Sequence, residues 1–237
     1  MNAAGSLGFA PDARGPVDLS KFGAFVTNPI SVRARKVANP PVVLEFPGGV
    51  LIHTGHPNLG LSSAIKQHAA AWARSEVPII IHLISNKPGE LRKAILRIEG
   101  LENILAIELG IQADSSRELV ADLIQAAVGE LPLIARVPLP RAMELAEIAI
   151  NAGVSILSLG APRGTLPDAK GKLVNGRLYG PAVFPLALDE VKQLSQAGYS
   201  VIGAGGVECE KQAEAMLAAG AMAVQVDVSL WKGNFSG

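Results

Sequence analysis

Apolar and polar positions along this chain keep changing period. Unbroken apolar runs at residues 23–28, 78–85, 104–111, 131–139, 154–161, 200–207 and 223–228 alternate with stretches whose apolar residues recur every three or four positions. A short apolar run bounded by turn residues reads as a buried parallel strand, and the three-four spacing reads as an amphipathic helix. Leu119, Leu123 and Ala127 share one helical face, with Val120, Ile124 and Val128 beside it; Leu91, Ile95 and Ile98 form another after Lys87. Residues 1–6 can supply one more short strand. That makes about eight strand–helix units, which predicts a closed (β/α)8 TIM barrel. The competing architecture is an open doubly wound sheet, but no Gly-x-Gly-x-x-Gly follows an early strand. The chain, 1–237, reads as a single domain close to the ~250 residues typical of such a barrel.

Two segments break the repeat. Residues 29–57 carry Asn39-Pro-Pro41, Pro47-Gly-Gly49 and many β-branched residues, which predicts a β-hairpin excursion over one barrel end. Residues 162–179 are polar and rich in Gly and Pro, with Arg163, Lys170, Lys172 and Arg177. They read as a mobile loop at the C-terminal end of the sixth strand, where active-site loops sit, or equally as a solvated basic loop. The chain stops soon after Val228, so the eighth helix is expected to be missing or a stub.

The last two units hold the clearest candidate for chemistry. An apolar run ends in Gly205-Gly206, and a second run follows one helix later, ending at Asp227-Val228. Paired glycines there can turn bare N–H groups toward a phosphate, the usual anion corner of a barrel. Tight strand-to-helix turns would need the same glycines.

Composition narrows the functional classes. Lys plus Arg and Asp plus Glu both number 21, so nothing argues for nucleic acid or an anionic membrane surface. Apolar residues make up 49% but aromatic ones only 4%, which suits helices on a buried parallel sheet. No apolar run reaches the ~18 residues needed to span a bilayer. The N-terminus lacks a charged-then-apolar signal pattern. Cys209 is the only cysteine; with no internal disulfide possible, a cytoplasmic setting is expected. Cys209 opens a helix but has no partner, so it is assigned no role.

The order of motifs resembles the dihydroorotate dehydrogenase family of FMN-dependent barrels over nearly the whole chain. Asn2-Ala-Ala-Gly-Ser-Leu-Gly8 resembles the first strand, whose backbone lies against the flavin, and Gly23-Ala-Phe-Val-Thr27 the second. Gly49-Val-Leu-Ile-His-Thr-Gly-His-Pro-Asn-Leu-Gly60 resembles the return from the hairpin. Tyr179-Gly-Pro-Ala is similar to the Ser-Gly-Pro-Ala that leads into the sixth helix, and the final glycine segments match the phosphate corner. The resemblance implies FMN as cofactor and a small-molecule substrate. It places Ala4, Gly5, Asn28, Arg136, Gly180, Gly205 and Gly206 at the cofactor, in a ligand mouth shared by Ala4–Ser6 and 52–56. Arg136 falls where the family has a flavin-stabilising lysine and retains its positive charge.

The departures cluster on the substrate side. Asn28 stands at the family's lysine, Ile52 at a pyrimidine-holding asparagine, Gly110 at a substrate asparagine, Ala113 at the cysteine or serine base, and Gly160-Ala161 at an Asn-Thr pair. A pyrimidine acid has several polar edges, each needing a partner once buried. Losing a general base typically costs ~10²–10⁴ in rate. The expected substrate is therefore not dihydroorotate. Asp114 or Ser115 could stand in for the base, but Ser115 is read as the cap of the next helix, boxed by Glu118. His53 and His56 lie near the expected cavity and are the candidate titratable groups; His68 is read as a surface residue and His82 as core. Asp227, beneath the expected phosphate, would repel it if ionised and aimed there.

Three functional readings stay open. One is an FMN-binding oxidoreductase with another substrate. The second is a non-catalytic barrel acting as partner subunit, and the third a phosphate-ligand barrel of isomerase or aldolase type without flavin. No strand ends in a lysine placed for a Schiff base, which counts against an aldolase. An incomplete outer helix ring leaves apolar strand faces to cover. A homo-oligomer, a partner subunit, the N-terminal segment, or the tail with Trp231 and Phe235 is expected to cover them.

Overall fold

The computed structural model describes every residue except 13, 16 and 232–237. In chain order the elements are β1 (Phe25–Val26), β2 (Ile30–Ser31), β3 (Val42–Phe46), β4 (Gly49–His53), α1 (Leu61–Ala73), β5 (Ile79–Ile84) and α2 (Pro88–Glu99). Then come β6 (Ile104–Gly110), α3 (Arg117–Ala127), β7 (Leu133–Pro138), α4 (Ala142–Asn151), β8 (Ile156–Gly160), β9 (Arg163–Pro167) and β10 (Leu173–Tyr179). The last are α5 (Phe184–Gln196), β11 (Val201–Ala204), α6 (Glu210–Ala218) and β12 (Ala223–Gln225).

The strand order β1-β5-β6-β7-β8-β11-β12 is that of a curled parallel sheet, with β2 continuing along β5. Closure runs through the N-terminus. Ala3 N–H donates to Val226 at 2.7 Å and Val226 N–H to Met1 at 3.0 Å, a single parallel bridge at Asn2 beyond the end of β12. The other edge of this N-terminal segment meets β1 through a side chain. Asn2 Nδ2 donates to the Val26 carbonyl at 2.7 Å, and Val26 N–H donates to Asn2 Oδ1 at 2.9 Å. A carboxamide carries the same donor and acceptor as a peptide unit, so Asn2 substitutes for a missing ladder step.

Apolar alternation fills both sides of the strands. Val26, Ile80, Ala106, Ile134 and Ile202 point inward and, with Met1, Ile156 and Ala223, plug the barrel. Their sequence neighbours, such as Ile79, Ile81, Ile107, Leu157 and Val201, point outward against Leu91, Ile95, Leu123, Leu145, Val191 and Leu194 of the helices. Helix α3 starts one residue later than the capping pattern predicts. Ser116, not Ser115, accepts from Leu119 N–H at 3.2 Å, while the Ser115 carbonyl accepts from Arg141 at 2.8 Å.

The predicted hairpin over the barrel end is β3–β4, turning at Pro47-Gly48 with Gly48 at φ +92°. Residues 162–179 do not form the predicted mobile loop. They form a second hairpin, β9–β10, whose turn is tied by Asp168 Oδ1 accepting from Lys170 N–H (2.8 Å) and Lys172 N–H (2.9 Å). β10 pairs antiparallel with β4, giving the four-stranded sheet β3-β4-β10-β9. A polar segment becomes a strand here because the open edge of β4 supplies partners for its backbone groups, and polarity alone does not oppose that. The crossing needs glycine: a Cβ on Gly49 would stand 2.1 Å from the Tyr179 carbonyl oxygen.

After β12 the described residues form a short 3-10 turn, Val228–Leu230, rather than an eighth α-helix. Leu7, Phe9, Val17, Leu19 and Phe22 pack on the main core, and Trp72 Nε1 donates to the Phe9 carbonyl at 2.8 Å. His68 stacks on Phe9 at 5.8 Å, so it is a packing residue rather than a free surface one. Trp231 Nε1 donates to the Ser6 carbonyl at 2.7 Å; Phe235 lies outside the described residues. Among the described residues no helix is long and apolar enough to cross a membrane, and no group of three or more His, Cys, Asp or Glu could hold a metal ion.

Candidate active site

The C-terminal ends of the strands open into a cavity of about 440 Å³, roofed by β4 and β10. A smaller one of about 80 Å³ lies beside it; Ala4, His56, Arg177 and Tyr179 line both. Strand ends at this face point their last side chains into the mouth, so β5, β6 and β7 contribute His82, Gly110 and Arg136.

The floor of the larger cavity is a buried polar network. Glu108 is fully buried. Its Oε2 lies 2.6 Å from His82 Nδ1, and its Oε1 accepts from Ser158 Oγ at 2.7 Å and from Gln225 Nε2 at 2.7 Å. Arg136 NH1 donates to Gln225 Oε1 at 2.8 Å and stands 3.7 Å from Glu108. Strand register makes this possible, since His82 pairs with Glu108, Gly110 with Arg136, and Arg136 with Ser158. Burial alone pushes the Glu108 carboxyl up. The Arg136 charge and the His82 and Ser158 hydrogen bonds outweigh it and hold the group at about 2. Burial lowers His82, against the opposing pull of Glu108, so the ring is neutral at pH 7.

The roof and rim are basic. Arg35, Arg163 and Arg177 join Arg136 around the cavity, and among the described residues Asp114 is the one carboxylate on its wall. Arg177 has no carboxylate partner among the described residues. Burial lowers its pKa, and Arg163, Arg136 and Arg35 add repulsion. A partly enclosed space with that much uncompensated positive charge favours an anionic ligand.

The candidate residues named from the chain separate into groups. Ala4, His53, His56 and Arg136 line the larger cavity, and Gly5 with Ala4 lines the smaller. His56 sits in the left-handed region at φ +53°. Burial first, then the charges of Arg177, His82, Arg35 and Arg136, lower its pKa to about 2. Asn28 turns away and braces the N-terminal segment, with Oδ1 accepting from Gly8 N–H at 3.2 Å. Gly180, Gly205 and Gly206 line neither cavity. Gly206 packs so closely under Gly180 that a Cβ would stand 2.6 Å from its carbonyl oxygen. Gly205 and Gly206 have φ of +118° and +68°, and neither N–H has an acceptor among the described residues.

Glu108, Ser158 and Gln225 were not singled out from the chain, and His82 was read as core. Each interrupts an otherwise apolar strand, and that interruption was the available signal.

Comparison with known proteins agrees with this geometry. A family profile described as dihydroorotate dehydrogenase matches residues 1–236. The chain is 30% identical to a dihydroorotate dehydrogenase B (NAD(+)), catalytic subunit, of Pelobacter propionicus, over 95% of this chain and 81% of that protein. It is 29% identical to the same-named subunit of Geotalea daltonii, over the same shares. The fold matches a crystal structure of DHODH from Eimeria tenella in complex with ferulenol. The TM-score is 0.72 at 13% identity, covering 89% of this chain and 70% of that one. Motif order, barrel closure and a match along almost the full chain converge, and the protein belongs to the dihydroorotate dehydrogenase family.

Proposed function

We propose that this chain is an FMN-binding oxidoreductase that acts on an anionic small molecule other than dihydroorotate. The family is FMN-dependent, and the residues here fit the group at both ends. Arg136 presents a fixed cation at the cavity floor. Gly205 and Gly206 offer two unpaired backbone N–H groups, one of them on a buried residue, which suits a phosphate. Ala4 and Gly5 would lie along the ring. When bound, FMN supplies hydride acceptance; the protein supplies position, charge and exclusion of water.

The observation that carries the substrate reading is the lining of the larger cavity. Gly110, Ala113 and Gly160 stand there and Ile52 lines the smaller cavity, and none offers a side-chain hydrogen bond; arginines surround them. A pyrimidine ring with several polar edges would leave those edges unpaired. An anion with fewer edges would meet Arg177 and Arg35. The relatives are named as catalytic subunits, which supports work within an assembly, either with a partner subunit or as a homo-oligomer. The single cysteine supports a cytoplasmic setting.

The test is anaerobic. The purified chain, titrated with FMN, is expected to become yellow and quench flavin fluorescence. Dihydroorotate should then leave the flavin absorbance unchanged. Bleaching by dihydroorotate overturns the substrate half. No FMN binding at micromolar concentration overturns the cofactor half and favours the non-catalytic partner reading.

A further inference from the structure

We propose that His82 Nε2 is the proton acceptor of this cavity and that Glu108 is its positioning residue. The inference rests on reading the larger cavity as the substrate site, but not on flavin binding.

The two ring nitrogens have different surroundings. Nδ1 lies 2.6 Å from the Glu108 carboxylate, which accepts and therefore fixes the proton on Nδ1. Nε2 has no hydrogen-bond partner among the described residues, yet it is not among the fully enclosed unpaired atoms. His82 lines the cavity, so this lone pair opens onto it. Gly110 keeps it open: a Cβ there would stand 2.9 Å from Nε2 and 3.1 Å from Cε1. The glycine that removes a family substrate ligand thus uncovers an imidazole, beside a wall where Ala113 cannot take a proton.

The groups facing the ring come from every side of the barrel. β6 contributes Glu108, β7 Arg136, β10 Arg177 and the β4–α1 connection His56. On the β1 side the Thr27 hydroxyl accepts from the His82 backbone N–H at 3.0 Å and so fixes the main chain rather than the ring. The transfer is a plain acid–base step. A ligand N–H, O–H or C–H bond breaks, its proton forms a bond to Nε2, and the electron pair stays on the ligand. Glu108 stabilises the imidazolium, while Arg136 and Arg177 stabilise the anion left behind. The ligand class is therefore a small acid whose ionised form is held by the arginines.

Two measurements on the purified full chain test this, and neither depends on turnover. Nitrogen NMR of histidine-labelled protein, with His82→Gln to assign the signal, is expected to show a neutral ring at pH 7, protonated at Nδ1 and bare at Nε2. Glu108→Gln should disturb that tautomer, and Glu108→Asp should largely keep it. Diethylpyrocarbonate, which attacks bare imidazole nitrogen, should modify His82, as located by peptide mass. A wild-type ring protonated at Nε2, or a His82 inert to the reagent while His53 reacts, would overturn the proposal. Flavin titration of the same samples reads the proposed cofactor separately, so the two failures are distinguishable.

Discussion

Glu108 and Arg136 sit on neighbouring strands with 3.7 Å between carboxylate and guanidinium, and the carboxylate also holds His82 at 2.6 Å. One buried anion thus anchors two groups at the cavity floor. Glu108→Ala is expected to destabilise the fold by about 3–5 kcal/mol, because Arg136 would remain buried without its counter-charge. Glu108→Gln should cost less, since Ser158 can still donate to the amide oxygen. Urea unfolding of both variants checks the order.

The same network sets acid sensitivity. Glu108 is depressed from 4.5 to about 2, so its contribution is full above the unfolded carboxylate range and is lost as pH falls through about 2. His82 is also lowered, so an unfolded chain takes up its proton first and stability already declines below the ordinary histidine value of 6.5. Melting temperature is expected to fall from pH 6.5 downward. His82→Gln should reduce the upper part of that decline, the remainder coming from His56, which burial also lowers, and leave the lower part.

Asn2 closes the barrel with its side chain. Asn2→Ala leaves the Val26 N–H and carbonyl buried and unpaired, a loss of about 2–4 kcal/mol. Equilibrium unfolding reads the loss. Faster amide exchange at Val26 would locate it at the seam between β1 and the N-terminus.

Arg136 bears on the flavin. A fixed positive charge at the cavity floor favours an anionic reduced ring. Arg136→Ala is expected to lower the reduction potential of bound FMN, and Arg136→Lys to preserve most of it. Spectroelectrochemical titration gives both values.

Asp227 bears on the phosphate. Its carboxylate accepts from Val228 N–H at 2.5 Å, occupying a backbone donor beside the expected anion corner. Burial raises its pKa, with the Val228 hydrogen bond and Arg136 opposing. Protonation on acidification removes the repulsion, so FMN affinity should rise as pH falls. Asp227→Asn should bind FMN about tenfold more tightly at pH 8, the scale of a screened charge pair, and lose the pH dependence. Fluorescence titration across pH measures both.

The periodicity of the chain was enough for the parallel barrel and its helices, because burial on two faces forces long apolar runs and burial on one forces a three-four spacing. It was also enough for the β3–β4 hairpin, since Pro47-Gly48 has local turn chemistry. The β9–β10 hairpin was not legible as a strand pair, because the edge that β10 docks on is β4, more than a hundred residues away in sequence. The Ser116 cap was missed by one residue, since either serine suits a cap and loop length decides. Ala4, Gly5 and Arg136 could be named from motif order alone. The buried Glu108 network could not, because a polar residue in an apolar run shows only that something must satisfy it. Which partners do so is fixed by strand register and barrel curvature, which bring His82, Arg136, Ser158 and Gln225 to one carboxylate.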